Sequence, residues 1–344
     1  MNNKNAVLLL FTGGTISMTK DATTGALQPF DFQKVKKYLP ELGLLGVNVD
    51  THPIEPFVDS SDVNPDTWER IATTIYQRYD DYDGFVVLHG TDTMAFSASA
   101  ISFMFENLTK PIIFTGAQLP LGVLRSDAKE NLLTAIEIAT AQVNGRAIVP
   151  EVCIFFEDKL FRGNRTTKQN AEHFNAFSSF NYPTLAKAGV HIKYFRPYIH
   201  YSNHSEKLLL NTKIDRHVAV LKLYPGITQN TVEAILNIPK LRAVILETFG
   251  SGNAPRKKWL HDSLKQATQR GIIIVNRTQC SIGTVEMGLY ATSLNLLDAG
   301  VFSGHDITYE ALITKIMYLL GRYQETELVK QKLKESLCGE MTME

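Results

Sequence analysis

Three short turns carry the hydroxyl and carboxylate side chains with which this sequence could do chemistry. They are, first, Thr12-Gly13-Gly14-Thr15, second, His89-Gly90-Thr91-Asp92-Thr93 and, third, Asp59-Ser60-Ser61-Asp62. An aliphatic hydroxyl becomes a nucleophile when a neighbouring base takes its proton. The paired glycines of the first turn would allow main-chain N–H groups to approach an anion or an oxyanion closely. The residue types therefore indicate acyl-transfer chemistry at an anion-binding turn.

Each turn, taken alone, also has a structural interpretation. The first could be an ordinary end of a strand, and Thr91 or Asp92 could cap a helix that begins just after them. Residues 59–62 could likewise be a turn or a cap, although their serine hydroxyls and turn amides could bind a carboxylate. A phosphate loop is not indicated, because the first turn lacks the Gly-Lys-Ser/Thr ending of nucleotide-binding fingerprints.

A lysine is the best candidate for the base. Lys168 ends the polar segment Arg162-Gly163-Asn164-Arg165-Thr166-Thr167-Lys168, and no histidine is an evident partner for a hydroxyl. A lysine amine can act as a base when burial leaves it partly neutral. Most lysines are simply solvated, however, so this residue by itself does not decide between the two interpretations.

The elements that must position these turns alternate between strands and helices. In the first part of the chain we predict buried strands at Ala6 to Phe11, Phe85 to Leu88, Pro111 to Phe114 and Val152 to Phe156. Helices are predicted at Thr67 to Tyr79, Thr93 to Asn107 and Asp127 to Val143. This alternation predicts an α/β fold with a doubly wound, mostly parallel sheet. Ligands bind such sheets beyond the carboxyl ends of the strands, where all three turns lie.

A second, smaller α/β domain is expected after residue 213. The stretch from Tyr194 to Lys213 has no clear periodicity. We therefore expect an N-terminal catalytic domain over 1–194, a linker over 195–213 and a C-terminal domain over 214–344. The last should contain strands at Val218 to Leu223, Ala243 to Leu246 and Ile272 to Val275, and helices near Gln229 to Asn237, Lys257 to Gln269 and Thr308 to Tyr323.

Composition excludes several classes of partner. Lys plus Arg and Asp plus Glu both number 35, so no basic surface for nucleic acid or an anionic membrane is indicated. No window approaches the roughly 20 apolar residues of a membrane span. The three cysteines have neither metal-ligand nor redox spacing, which predicts reduced thiols in a cytoplasmic protein. No metal or other cofactor is expected, since His200 and His204 fall in the expected linker.

The four polar segments together resemble the bacterial-type L-asparaginases, above all their cytoplasmic, type I branch. The similarity runs from the first strand to the helix at Thr308 to Tyr323. The motifs that carry it are Leu88-His89-Gly90-Thr91-Asp92-Thr93-Met94, Arg125-Ser126-Asp127, Gly163-Asn164-Arg165-Thr166-Thr167-Lys168, Tyr224-Pro225-Gly226 and Gly252-Asn253-Ala254-Pro255. Their joint occurrence in order is far more specific than any one of them.

The resemblance implies hydrolysis of L-asparagine to L-aspartate and ammonia through a threonine acyl-enzyme. Thr15 would be the nucleophile, and Thr91, Asp92 and Lys168 would form the second catalytic group. Asp59, Ser60 and Ser61 would bind the substrate around its α-carboxylate, with Asp92 holding the α-ammonium. The family's assembly implies a homodimer or homotetramer.

Two other functions remain open. One is a related amidohydrolase of broader specificity that also hydrolyses glutamine, or a subunit that passes ammonia to charged tRNA. Such subunits carry an additional N-terminal domain, which we do not expect here because the first turn begins at Thr12. The other is a catalytically silent amino-acid-binding α/β protein, against which the complete set of Thr15, Thr91, Asp92 and Lys168 argues.

Two features depart from the family's pattern. Many relatives have a tyrosine just after the nucleophile, but residues 17–29 contain none, although they suit a mobile lid hinged at Gly25. Tyr290 could replace that tyrosine or could simply pack in the core. Some type I relatives also bind an activating asparagine near positions that match Thr167, Glu247 and Cys280, with arginine in place of Glu247. Because glutamate would repel a carboxylate ligand, we predict weak or absent activation.

Overall fold

The computed structural model describes residues 5–14, 16, 18–20, 27–29, 40–121, 123–202, 205–288 and 291–343. The chain forms two compact units, Met1–Thr212 and Lys213–Glu344. Within the described ranges, no helix is both long and apolar enough to cross a membrane. The segment expected to be a linker includes a short strand, Leu209–Leu210, which pairs with Phe105–Glu106 of the first unit.

The first unit contains sixteen strands and three α-helices among its described residues. The strands are β1 Ala6–Phe11, β2 Met18–Lys20, β3 Leu27–Pro29, β4 Asn48–Pro53, β5 Gly84–Leu88, β6 Phe105–Glu106, β7 Ile112–Thr115, β8 Gln142–Val143, β9 Arg146–Ala147, β10 Val152–Phe156, β11 Lys159–Arg162, β12 Thr167–Lys168, β13 Phe177–Ser178, β14 Ala186–Lys187, β15 Lys193–Tyr194 and β16 Leu209–Leu210. The helices are α1 Pro65–Gln77, α2 Met94–Met104 and α3 Ala128–Thr140.

An eight-stranded sheet in the order β15-β14-β11-β10-β7-β5-β1-β4 is the framework of this unit. The five strands from β10 to β4 run parallel, whereas β11, β14 and β15 add antiparallel at one edge. The mostly parallel sheet predicted from the alternation of strands and helices is therefore confirmed. Because β4, β1, β5 and β7 are neighbours, the loops that follow them lie side by side.

Both faces of the sheet are covered by helices. Leu9, Val86 and Ile113 face one side and belong to a core cluster that includes residues of α3. Since strand residues alternate between faces, Phe114 faces the other side, where α2 lies. Burial is nearly complete on both sides, as the continuous apolar runs predicted.

All three helices of this unit differ at their ends from the sequence-based prediction. Helix α3 spans Ala128–Thr140 rather than Asp127 to Val143, because Gln142–Val143 pairs with Arg146–Ala147 as β8 and β9. Helix α1 begins at Pro65 rather than Thr67, because the Asn64 side chain accepts a hydrogen bond from Asp66 N and caps the helix. Helix α2 ends at Met104 rather than Asn107, because the next two residues pair with β16. Tertiary pairing of this kind leaves no local signal in the sequence.

The second unit has a four-stranded parallel sheet in the order β17-β18-β19-β20. Its strands are β17 Val218–Lys222, β18 Ala243–Thr248, β19 Ile273–Thr278 and β20 Phe302–Ser303. Its described helices are α4 Gln229–Leu236, α5 Lys258–Gln269, α6 Ala291–Asp298, α7 Tyr309–Arg322 and α8 Thr326–Lys334. A separate apolar cluster built around Val244, Leu246 and Leu264 forms its core. The smaller C-terminal α/β domain is thus confirmed.

Candidate active site

The three polar turns predicted from the sequence meet at the carboxyl ends of β1, β4 and β5. A side chain at Gly14 would place its Cβ atom 2.5 Å from Gly90 Cα, and one at Gly90 would lie 2.6 Å from Ser60 Oγ. A Cβ atom at either position would overlap its neighbour, so only glycine fits there. The glycines therefore allow the turns at residues 12–14, 59–62 and 89–93 to pack directly on one another.

Hydrogen bonds hold the first turn between its neighbours. Thr12 donates from its main-chain N and from Oγ1 to Leu88 O, at 3.1 and 3.2 Å. On the other side, Val58 N donates to Thr12 O at 3.0 Å. Gly13 and Gly14 have φ angles of +120° and +80°, a conformation that disfavours other residues. Thr15 lies outside the described residues.

Lys168 reaches the Thr91-Asp92 turn from β12. Its Nζ donates to Thr91 Oγ1 at 2.8 Å and to Asp92 Oδ1 at 2.6 Å. The lysine side chain is only 16% exposed, whereas that of Asp92 is 62% exposed. Lys168 is thus held from the protein side, and Asp92 faces solvent, where a ligand could reach it.

These contacts distinguish the two interpretations of the second turn. The N-cap residue of α2 is Thr93, which makes no side-chain capping hydrogen bond. Instead, Thr93 Oγ1 donates to Ser60 O at 2.6 Å and ties this turn to the third one. The carboxylate of Asp92 pairs with Lys168. The Thr-Asp-Thr sequence therefore connects separate loops, which a simple helix cap would not do.

The third turn combines capping with an exposed polar surface. Asp59 Oδ1 accepts hydrogen bonds from Ser61 N at 2.8 Å and from Ser61 Oγ at 2.7 Å. These bonds hold the pKa of Asp59 below its ordinary value, so the carboxylate is charged at neutral pH. Asp59 and Ser61 are exposed, but Ser60 is buried beneath them.

Gln118 is a residue of this region that the sequence analysis did not single out. It follows β7, the strand beside β5, and its Nε2 donates to His173 O at 3.1 Å. Its Oε1 lies 3.5 Å from Thr91 Oγ1. The Gln118 main-chain N donates to both carboxylate oxygens of Asp127, which fixes the loop. Gln118 could have been predicted as a site residue from its position after a parallel strand that neighbours β5.

His89 is fully buried behind the second turn. Its Nδ1 lies 2.7 Å from Gly90 O, and its Nε2 lies 2.8 Å from Ser97 Oγ on α2. Burial lowers the pKa of His89 to about 4, so the ring is neutral at pH 7. From the sequence, no histidine was an evident partner for the hydroxyl, and the structure directs the His89 ring toward α2.

Other expected features of the site fall outside the described residues. Tyr290 and Gly25 are among them, so their expected roles remain predictions. Of residues 17–29, the structure describes β2 and β3, which pair antiparallel. Throughout the described ranges, no group of three or more His, Cys, Asp or Glu side chains could hold a metal ion.

Comparison with known proteins identifies the family. Residues 6–200 match the family described as Asparaginase, N-terminal, and residues 217–333 match the Glutaminase/Asparaginase C-terminal domain. The chain is 42% identical to L-asparaginase 1 of Escherichia coli strain K12 over 341 residues, which cover 98% of each chain. It is 40% identical to a 60 kDa lysophospholipase of Mus musculus, covering all of this chain and 64% of that one.

A solved structure gives the same result. The crystal structure of L-asparaginase I from Vibrio cholerae O1 biovar eltor superimposes with a TM-score of 0.89 at 42% identity. The match covers 99% of this chain and 100% of that one. Both domains, the fold and nearly the full length therefore agree, and the chain belongs to the L-asparaginase family of amidohydrolases.

Proposed function

We propose that this chain hydrolyses L-asparagine to L-aspartate and ammonia through an acyl-enzyme formed on Thr15. The observation that carries the proposal is the contact of Lys168 Nζ with both Thr91 Oγ1 and Asp92 Oδ1. A half-buried amine beside a hydroxyl, next to an exposed carboxylate, is the arrangement needed to move a proton while a charged substrate is held. The family membership of the chain supports the same reaction.

The site offers a carboxylate for the α-ammonium of the substrate and hydrogen-bond donors for its α-carboxylate. The exposed Asp92 can offer its second carboxylate oxygen to the α-ammonium while Lys168 occupies Oδ1. The Ser60 hydroxyl and the turn at residues 59–62 can hold the α-carboxylate. Ser61 Oγ donates to Asp59 in the free protein, so in the complex it exchanges that bond for one to the substrate.

In the first step, Thr15 Oγ attacks the side-chain amide carbon. The C–N bond breaks, the hydroxyl proton passes to the leaving nitrogen, and ammonia departs, leaving an aspartyl ester on Thr15. Main-chain N–H groups at Gly13, Thr91 or Ala117 would stabilise the oxyanion, and the loss of one such donor typically costs about 10²–10³-fold in rate. Gly14, which precedes Thr15, packs against Gly90, which precedes Thr91.

In the second step, water attacks the ester carbonyl. Its proton passes to Thr91 Oγ1, whose own proton passes to Lys168, which must be in its neutral amine form. The bond from carbon to Thr15 Oγ then breaks, and the proton held by Lys168 returns through Thr91 to Thr15 Oγ. Aspartate leaves after its new carboxyl group has lost the remaining proton of the water to solvent. The same pair can assist deprotonation of Thr15, for which Tyr290 is a second candidate.

An ammonia-release assay with asparagine and glutamine, repeated with added hydroxylamine, tests this function. We expect ammonia from asparagine at a rate well above that from glutamine. A shared acyl-enzyme also predicts that asparagine and a β-ester of aspartate give the same ratio of hydroxamate to aspartate, because both pass through one intermediate.

Each outcome of this assay discriminates between functions. Comparable rates with both amides would support the broader glutaminase-asparaginase activity. No ammonia from either amide would support a silent amino-acid-binding protein. Hydroxamate ratios that depend on the leaving group would exclude the acyl-enzyme while leaving asparagine hydrolysis in place.

Activation by a second asparagine is expected to be weak or absent. Glu247 Oε1 lies 2.7 Å from Arg277 Nη1 in the C-terminal unit, so this arginine is already paired with a carboxylate. A carboxylate ligand arriving there would meet the charge of Glu247, which is 8% exposed. We therefore predict a hyperbolic dependence of rate on asparagine concentration. A sigmoidal curve for the wild-type chain would contradict this, and a more sigmoidal curve for Glu247→Gln would support it.

We also infer assembly as a homodimer or homotetramer in the cytoplasm, on the resemblance to type I relatives. Among the described residues, Cys153, Cys280 and Cys338 form no disulfide, which is consistent with a reducing compartment. Light scattering coupled to size exclusion measures the assembly directly.

A further inference from the structure

A chain of three buried side chains lies behind the Thr91-Asp92 turn. Trp68 Nε1, on α1, donates to Ser97 Oγ at 3.0 Å. Ser97 Oγ lies 2.8 Å from His89 Nε2, and His89 Nδ1 lies 2.7 Å from Gly90 O. Ser97 and His89 are completely buried and Trp68 is 6% exposed, so water does not compete for these bonds.

The chemistry of the end groups fixes every proton in this chain. A carbonyl oxygen only accepts, so His89 Nδ1 must carry a hydrogen and donate it to Gly90 O. In a neutral ring Nε2 then accepts, and its donor is the Ser97 hydroxyl. The indole N–H only donates, and it occupies a lone pair of Ser97 Oγ. The direction of donation therefore runs from Trp68 through Ser97 and His89 to Gly90.

The last bond of the chain orients the peptide group between Gly90 and Thr91. A trans peptide is planar, and its C=O and N–H point in opposite directions. Because His89 holds Gly90 O toward the buried side, the Thr91 N–H points away from the imidazole. On the other side of the turn, Thr93 Oγ1 donates to Ser60 O. The bond from His89 thus holds the Gly90–Thr91 peptide group, and the bond from Thr93 to Ser60 holds the turn.

We propose that the Trp68–Ser97–His89 chain positions the Gly90–Thr91 peptide group, so that the Thr91 N–H faces the oxyanion of the reacting amide. This rests on the proposed function of the site. His89 touches neither the substrate nor the reacting atoms in this scheme and is a positioning residue. If His89 had only a structural role, it would stabilise the fold, and replacing it would not change the kcat of the protein that remains folded.

The test combines nitrogen-15 NMR of the histidine rings with kinetics of variants. In the wild-type protein at pH 7, we expect one histidine in the neutral Nδ1–H tautomer, assigned by its absence from His89→Gln. For Ser97→Ala, the donor to Nε2 is gone, so we expect that tautomer signal to shift and kcat for asparagine to fall. Ser102→Ala is the matched control, since Ser102 is a buried serine of the same helix that donates to Ala98 O.

His89→Phe removes both hydrogen bonds while retaining a ring. We expect kcat to fall about tenfold to a hundredfold, because small displacements of a catalytic group have effects of this size. KM should change much less, since the loop at residues 59–62 keeps its own bonds. His89→Gln, which can both donate and accept, should recover part of the loss. Activity is normalised to folded protein by circular dichroism.

Several results would overturn the proposal. One is an Nε2–H tautomer for His89. Another is a wild-type kcat in both Ser97→Ala and His89→Phe. The third is a decrease of kcat in Ser102→Ala as large as that in Ser97→Ala. The proposed function fails differently, namely if no ammonia is released from asparagine, and the tautomer measurement does not depend on that result.

Discussion

Replacement of Lys168 by methionine is expected to lower the turnover of asparagine by about two to four orders of magnitude, the usual contribution of a positioned acid or base. Methionine has a similar length but no amine, so Thr91 Oγ1 loses the group that takes its proton in the proposed mechanism. Asp92 also loses its ion-pair partner. Because Lys168 approaches Thr91 and Asp92 from a different segment of the chain, the change removes chemistry without interrupting a strand of the main sheet.

Stability should change little in this variant. The Asp92 side chain is 62% exposed and can be solvated once the lysine is gone, and exposed ion pairs contribute about 0–1 kcal/mol. Ammonia release measures turnover, and thermal unfolding followed by circular dichroism measures stability. Lys187→Met is a matched control, because Lys187, on β14, pairs with Asp158 while 58% of the lysine side chain is exposed. That variant should keep wild-type turnover.

Lys168→Arg separates charge from proton transfer. Arginine keeps a cation near Asp92 but stays protonated, so it cannot take a proton from Thr91. We expect turnover of this variant to remain low while asparagine still binds. Near-wild-type turnover in Lys168→Met would show that another group activates the hydroxyl. Full activity in Lys168→Arg would show that only the positive charge is needed.

Replacement of Glu340 by glutamine is expected to lower the free energy of unfolding by about 3–5 kcal/mol, the usual effect of leaving one partner of a buried ion pair uncompensated. Glu340 Oε1 lies 2.6 Å from Lys315 Nζ, and both side chains are fully buried. Glu340 also accepts hydrogen bonds from Leu337 N and Cys338 N. It therefore anchors the C-terminal segment on helix α7.

The electrostatics of this pair explain the size of the effect. Burial by itself would raise the pKa of Glu340, but the charge of Lys315 and the donated hydrogen bonds outweigh it and hold the pKa below the ordinary value. The carboxylate is therefore charged in the folded protein. Glutamine cannot neutralise Lys315, whose charge would stay buried among uncharged acceptors such as the carbonyl oxygens of Leu333 and Glu335.

Urea unfolding measured by circular dichroism tests this prediction. Glu335→Gln is the control, because Glu335 pairs with Lys332 through a side chain that is 41% exposed, and a change within about 1 kcal/mol is expected there. The double variant Lys315→Met, Glu340→Leu should regain much of the lost stability, since apolar groups of similar volume often replace a buried pair without loss. If Glu340→Gln unfolded at the wild-type urea concentration, the pair would not stabilise this segment.

The sequence by itself determined the fold class and where chemistry could occur. Strand β1 was predicted at its observed bounds because a short apolar run that ends in Thr-Gly-Gly has few alternatives. Alternation of strands and helices predicted the parallel sheet, and the sheet predicted which ends would carry ligands. The ordered motifs around Thr91 and Lys168 indicated the family. All of these predictions depend on residue patterns within short segments or on the order of segments along the chain.

Only the tertiary structure decided which side chains meet. Lys168 and Thr91 are 77 residues apart, and their contact depends on how the short strand β12 is placed beside the sheet. Asp92 could equally have capped a helix, and Glu340 could have been a solvated residue of a tail, because neither residue type nor spacing specifies a partner. His89 was visible in the sequence, but its direction followed from the packing of Ser97 against it. Such contacts join distant segments, and their geometry is set by how the helices pack on the sheet.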